Sequence, residues 1–181
     1  MEDIISQSPR SKIFKVSSKS EGLIVWKVCG NSKNAFSELS NEFRVTGNLK
    51  IKGIRKPLNK GIYDNKEAFS YEYFNGSTIK SLLSENQLNK IDFLEMAIKI
   101  TSIVRELHTA GYLHLRLNSN NILVNTVNRE VQLIDFSVSV QGIPEKTELD
   151  FRDWGSEINY IAPEQIGLNR ALIDQRSDLY S

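Results

Sequence analysis

The sequence is poor in cysteine, in net charge and in long apolar runs. One cysteine, Cys29, occurs among 181 residues, so no internal disulfide can form and we expect a reducing, cytoplasmic environment. Lysine and arginine total 23 against 22 aspartates and glutamates, and this balance gives no reason to expect nucleic acid or a membrane surface as partner. No apolar run approaches the length of a signal peptide or a membrane span.

The first part of the sequence predicts strands around one helix. Apolar runs at 12–16 and 23–28 flank a turn-like segment and predict a hairpin. Apolar residues at helical spacing predict a helix over 34–46. Two more strand-like runs follow, one at 53–63, which Pro57 interrupts, and one at 68–74.

The second part opens with a clear helical pattern. Asp92 with Glu95 three residues later forms a capping box, and Gly111 stands where a C-terminal cap belongs. Between them, apolar residues at helical spacing define one face, which includes Ile91, Leu94 and Ile98. Short β-like stretches and a long polar loop come next. The pattern therefore predicts two lobes with a seam between them.

Several short motifs lie along this seam. Taken alone, each has an ordinary structural explanation: residues 114–121 form a polar loop after a helix, and Lys27 or Glu42 is a surface charge. Taken together, their order and spacing resemble the signature set of protein kinases. The matching positions are Lys27, Glu42, the hinge-like Tyr71-Glu72-Tyr73-Phe74, Asn121, Asp135, Ala162-Pro163-Glu164 and Asp178.

This resemblance implies an α+β, bilobal protein-kinase-like fold. It predicts an N-lobe at 1–74, built as an antiparallel sheet with one helix, and a mostly helical partial C-lobe at 75–181. The sequence stops at Ser181, just inside the helix whose aspartate anchors the catalytic loop in this family. We therefore expect a truncated C-lobe with core exposed on its missing side.

The resemblance also implies ATP and Mg²⁺ as cofactors. Lys27, held by Glu42, would present a fixed positive charge to the α- and β-phosphates, and Asn121 and Asp135 would be oxygen ligands of the metal. The other expected nucleotide contacts are Tyr71 as gatekeeper, the hinge backbone at Glu72 and Phe74, Leu123, and the serines Ser6, Ser8 and Ser11 at the three glycine positions of the phosphate-covering loop.

Three catalytic positions depart from the family pattern. Arg116 stands where an aspartate accepts the substrate hydroxyl proton, and a guanidinium has no acceptor. Asn118 replaces the lysine that neutralises the transferring phosphate. Glu157 replaces the nearby threonine of the activation segment. Since all three belong to one local cluster, we predict that Arg116 and Glu157 form an ion pair.

Three functional hypotheses remain open. The first is a pseudokinase or weakly active regulatory module in signal transduction, which binds ATP and acts through a protein partner or the rest of a larger signalling polypeptide. The second is an active ATP-dependent Ser/Thr kinase in which a displaced carboxylate, such as Asp150 or Asp153, replaces the base. The third is a small-molecule phosphotransferase related to the aminoglycoside phosphotransferases, against which the motif at 160–164 argues.

A narrower resemblance concerns the end of the sequence. Residues 160–165, Gly167 and residues 169–170 and 173–181 look like the N-terminal kinase-like module of large bacterial proteins that join it to an ATPase region and a sensor histidine kinase. This resemblance implies that the domain is one part of a larger polypeptide.

Overall fold

The computed structural model describes residues 2–144, 155–168 and 172–181. Its first part is a five-stranded antiparallel sheet with the order β1-β2-β3-β5-β4. The strands are β1 (Glu2–Gln7), β2 (Ser11–Ser18), β3 (Gly22–Cys29), β4 (Pro57–Tyr63) and β5 (Lys66–Glu72).

The predicted hairpin is confirmed as β2 and β3, with Phe14 opposite Trp26. The sequence suggested that Pro57 interrupts a strand, but Pro57 is instead the first residue of β4. A residue without an N–H is tolerated at that position. β1 has no counterpart in the predicted strands. It is short, polar and exposed along most of its length, so its sequence lacks the alternation that marks a half-buried strand.

One helix packs on this sheet. Helix α1 (Ala35–Asn48) agrees with the predicted helix and runs two residues further. Leu39, Glu42 and Val45 occupy successive turns of its buried side, with exposed fractions of 2% or less. The i, i+3 spacing therefore carries a carboxylate into the interior together with two apolar side chains.

The second part is largely helical. It contains helices α2 (Ile79–Ser84), α3 (Lys90–Thr109) and α4 (Gln175–Tyr180), with small strands between them: β6 (Ser77–Thr78), β7 (Tyr112–Leu113), β8 (Ile122–Val124), β9 (Val131–Leu133) and β10 (Val140–Gln141). One apolar core cluster joins α1, α3, β8 and β9, and its most deeply buried members include Val45, Leu107, Leu133 and Phe136. The predicted α+β class is confirmed.

Helix α3 begins earlier than the sequence predicted. The N-cap is Asn89, whose side-chain oxygen accepts from the backbone N–H groups of Ile91 and Asp92, so Asp92 lies inside the first turn. The capping-box prediction was wrong because Asn89 is an equally good cap that satisfies two end N–H groups at once. At the other end, Gly111 follows the C-cap with a left-handed φ of 80°, as the cap prediction required.

The apolar face predicted for α3 is divided between two environments. Met96, Ile103, Val104 and Leu107 are buried, whereas Ile91, Leu94 and Ile98 are exposed by 61–69%. Among the helices of the described residues, none is both long enough and apolar enough to cross a membrane.

Candidate functional site

A buried lysine on the sheet meets a buried glutamate on α1. Lys27 Nζ lies 2.5 Å from Glu42 Oε2, and both side chains are under 10% exposed. Lys27 Nζ also lies 3.1 Å from Asp135 Oδ1. Although burial lowers the pKa of Lys27, the carboxylates of Asp135 and Glu42 raise it above its usual value. The ammonium group is therefore fixed in its charged form at the seam.

Asp135 receives a second cation on its other oxygen. Arg116 Nη1 lies 3.2 Å from Oδ2, so each carboxylate oxygen of Asp135 faces a positive charge. Burial raises the pKa of Asp135, but Arg116 and Lys27 outweigh it and hold the pKa far below its usual range. Asp135 also has a left-handed φ of 65°, a conformation that aspartate tolerates better than most residues.

Arg116 is itself held on three sides. Its Nη2 and Nε lie 2.7 and 3.0 Å from Glu157 Oε2, and its Nη1 donates to Ser137 Oγ at 3.1 Å. The ion pair predicted between Arg116 and Glu157 is confirmed. The additional pair with Asp135 was not predicted, because nothing in the spacing of the two positions indicates it.

The turn between β1 and β2 reaches the same carboxylate. Arg10 Nη2 lies 3.5 Å from Glu157 Oε2, so the two arginines converge on one oxygen. The turn is fixed at its other side, because Gly30 N–H donates to Arg10 O and Ser32 N–H donates to Pro9 O. A side chain at Gly30 would collide with Pro9 O, which explains the glycine there.

Asp178 anchors the loop that carries Arg116, as predicted. Its carboxylate accepts from the backbone N–H groups of His114 at 2.9 Å and Leu115 at 2.6 Å. These bonds hold Leu115 at a left-handed φ of 61°, which is costly for a leucine. His108 Nε2 lies 2.8 Å from Asp178 Oδ2, a contact that the sequence analysis did not predict.

The two amides of the loop bind the loop itself. Asn118 and Asn121 both donate from Nδ2 to the carbonyl oxygen of Arg116, at 3.2 and 2.9 Å. Asn118 Oδ1 accepts from the backbone N–H of Asn120. Asn118 therefore closes the loop at the position where a lysine was expected to meet phosphate. Leu123 is buried in β8, where it pairs with Gln132.

The remaining predicted nucleotide contacts lie along the sheet. Ser6 stands at a bulge of β1, Ser8 in the following turn, and Ser11 at the start of β2, where its N–H donates to Ser8 Oγ. The hinge-like Glu72 ends β5, and Phe74 O accepts from the N–H of Gly76.

Tyr71 lies next to the hinge and is fully buried. Its hydroxyl has no hydrogen-bond partner among the described residues, and burial raises its pKa well above the usual value.

The end of the activation segment returns to the catalytic loop. Gln165 Nε2 donates to Leu115 O at 3.0 Å, and Ser177 Oγ donates to Glu164 Oε1 at 2.6 Å. The protein kinase domain model matches residues 7–181, which is nearly the whole chain. The chain belongs to the protein kinase family. The bilobal kinase-like fold is thereby confirmed, and members of this family use ATP with a divalent metal.

Individual kinases resemble the chain at modest identity. A "Probable serine/threonine-protein kinase" of Streptomyces coelicolor is 33% identical over 61% of the chain, and another of Clostridium perfringens is 24% identical over 83%. The "Histidine protein kinase 1" of Candida albicans is 25% identical over 55%. The aligned parts span only 16%, 22% and 4% of these proteins' own lengths.

The donor set at Asp135 does not fit the Mg²⁺ that kinases generally use. Both oxygens of Asp135 already face cations, and Asn121, whose Nδ2 donates to the Arg116 carbonyl, adds one neutral amide oxygen. The described residues contain no group of three or more His, Cys, Asp or Glu side chains able to hold a metal.

Asp150 and Asp153, the displaced bases of the second hypothesis, lie outside the described residues, as do residues 169–170 of the narrower resemblance.

Proposed function

We propose that this kinase domain is a pseudokinase: it binds ATP at the seam, transfers phosphate at most weakly, and regulates a signalling pathway. The ATP cleft would lie between an N-lobe at 1–74 and the C-lobe residues at 75–181. One observation carries the proposal. The position of the catalytic base holds Arg116, whose guanidinium is bound to Asp135 and Glu157.

The described residues offer no replacement base in contact with Arg116. Asp135 and Glu157 are the carboxylates in contact with Arg116, and both are ion-paired. The pKa of Asp135 is held far below its usual range, so its carboxylate is a poor proton acceptor. Loss of one positioned base costs roughly 10²–10⁴ in rate. Asn118, tied into its own loop, cannot neutralise the transferring phosphate as a lysine would.

Nucleotide binding is supported by the side of the cleft that is intact. Lys27 and Glu42 form the buried pair that fixes a positive charge for the α- and β-phosphates. We assign adenine recognition to the hinge backbone at Glu72 and Phe74, with Tyr71 behind it. Ser6, Ser8 and Ser11 would then cover the phosphates from the β1–β2 hairpin.

A regulatory role needs a protein partner, and we propose that this is another region of a larger cytoplasmic signalling polypeptide. The similarity to the histidine protein kinase of Candida albicans supports this arrangement, because the aligned residues make up only 4% of that protein's length. The nearly even charge balance favours a protein over nucleic acid as the partner.

Thermal unfolding with ATP, combined with transfer from γ-labelled ATP, tests the proposal. ATP at about 100 times its dissociation constant adds roughly 2.7 kcal/mol to stability. We expect this stabilisation in the wild type and in Lys52→Ala, a control lysine with a 93% exposed side chain, and its loss in Lys27→Ala, each compared with its own ligand-free state. Label transfer to the chain or to a generic protein substrate should be absent. Rapid transfer that Lys27→Ala abolishes would overturn the proposal.

A further inference from the structure

Asp135 already has the cationic partners that a metal would provide. Lys27 Nζ lies 3.1 Å from one oxygen and Arg116 Nη1 lies 3.2 Å from the other. We propose that the guanidinium of Arg116 stands in for a divalent cation beside Asp135, so that this cleft binds a nucleoside triphosphate without metal. The inference rests on the proposed nucleotide binding and adds how the phosphate charge is compensated.

A metal ion at Asp135 would have to share its carboxylate oxygens with Arg116 and Lys27. Mg²⁺ sits about 2.0–2.1 Å from its oxygen ligands, so the guanidinium charge 3.2 Å from the same oxygen would repel it. Arg116 cannot lose its charge by deprotonation. Nor is it loosely held, because Glu157 and Ser137 bind three of its nitrogens.

The remaining ligand is too weak to recruit a metal by itself. Asn121 offers one neutral amide oxygen, since its Nδ2 donates to the Arg116 carbonyl. Mg²⁺ in nucleotide sites is held by one or two carboxylates together with phosphate oxygens. With Asp135 neutralised by two cations, that carboxylate contribution is lost.

The cleft instead supplies its own positive charges to a triphosphate. Lys27, Arg116 and Arg10 converge from β3, from the catalytic loop and from the β1–β2 turn on the carboxylates of Asp135 and Glu157. Guanidinium groups bind phosphate oxygens as well as carboxylate oxygens in a bidentate manner, so a triphosphate would share these cations with Asp135 and Glu157. Charge compensation by side chains replaces charge compensation by an ion.

Calorimetric titration of ATP into the purified chain, in EDTA and in excess Mg²⁺, tests the inference. We expect a ratio of dissociation constants near one for the wild type. Arg116→Gln removes the internal cation, so Mg²⁺ should then tighten ATP binding by roughly 5–150-fold, the usual range for coupling between two ligands. Arg116→Lys keeps a positive charge and should stay independent of metal.

Arg129→Gln is the matched control. Arg129 also bridges two carboxylates, at 3.2 Å to Asp92 and 2.5 Å to Glu95, but it is half exposed and belongs to a surface cluster with α3. It should behave as the wild type.

The outcomes separate this inference from the proposed function. Wild-type binding that requires Mg²⁺ would overturn the metal independence and leave the nucleotide-binding role intact. Absence of ATP binding in both buffers would overturn both. If Arg116→Gln fails to fold, the wild-type titration alone still tests metal independence. The dissociation constants of ATP in EDTA and in Mg²⁺ are equal only if binding needs no metal.

Discussion

Arg116 Nη1 lies 3.2 Å from Asp135 Oδ2, so the residue at the catalytic-base position is ion-paired to the residue at the metal-binding position. Glu157 extends this contact into the activation segment, and Lys27 extends it into the sheet. Four segments that are distant in sequence therefore meet in one charge network. The substitution at 116 does more than remove a base, since it also neutralises the neighbouring carboxylates.

Removal of the Arg116 charge should destabilise the fold. Arg116→Gln leaves Asp135 and Glu157, both at least four-fifths buried, without their shared cation. Breaking a buried ion pair costs about 3–5 kcal/mol when it leaves a charge uncompensated. Because Lys27 still faces Asp135 and Arg10 still faces Glu157, we expect a smaller loss of about 1.5–3 kcal/mol in urea unfolding. Arg129→Gln, which breaks a surface pair, should cost less than about 1 kcal/mol. Equal losses in the two variants would contradict the assignment of a buried network.

Asp178→Asn should loosen the catalytic loop. The carboxylate accepts from His114 and Leu115 N–H groups, and the amide would turn a donor towards one of them. Hydrogen bonds to charged groups contribute about 1.5–3 kcal/mol each, so a loss in that range is expected. Hydrogen exchange at these two amides measures it directly. Unchanged protection would show that Asp178 does not hold Leu115 in its left-handed conformation.

Acid should weaken the fold through His114. Nε2 donates to Ile134 O and Nδ1 accepts from the Arg116 N–H, so the neutral ring is the form that fits. Burial lowers the pKa of His114 below its usual 6.5. The unfolded chain therefore binds the proton first, and stability falls as the pH drops below 6.5, by at most about 1.4 kcal/mol per pH unit.

The measurement is urea unfolding at pH 7 and pH 5.5. His114→Asn, which cannot titrate, should lose less stability between these two values than the wild type does. The same loss in both proteins would mean that His114 is not the group responsible.

The sequence predicted the fold better than it predicted the site. The β2–β3 hairpin and α1 follow from apolar periodicity, which reports burial directly. β1 and the Asn89 cap were missed because an exposed polar strand has no such pattern and several residues near a helix start can serve as its cap. In the site, the ion pair of Arg116 with Glu157 was predictable because the three altered positions belong to one local cluster of the family pattern.

Other contacts of the site have no local signal. Asp135 binds Arg116 from a position 19 residues later, and Arg10 reaches Glu157 across 147 residues. Only the folded chain brings these pairs together. The same holds for His108, whose contact with Asp178 depends on how α4 meets α3.

The most direct test of the account is phosphate transfer by a variant that restores the family's residues. The triple variant Arg116→Asp/Asn118→Lys/Glu157→Thr restores the catalytic base and the phosphate-binding lysine. It also replaces the Glu157 carboxylate with the threonine of the family pattern. We measure transfer from γ-labelled ATP, with Mg²⁺, by wild type and variant side by side. We expect transfer by the wild type to be at least about 10²-fold slower than transfer by the variant. Wild-type transfer equal to or faster than that of the variant would contradict it.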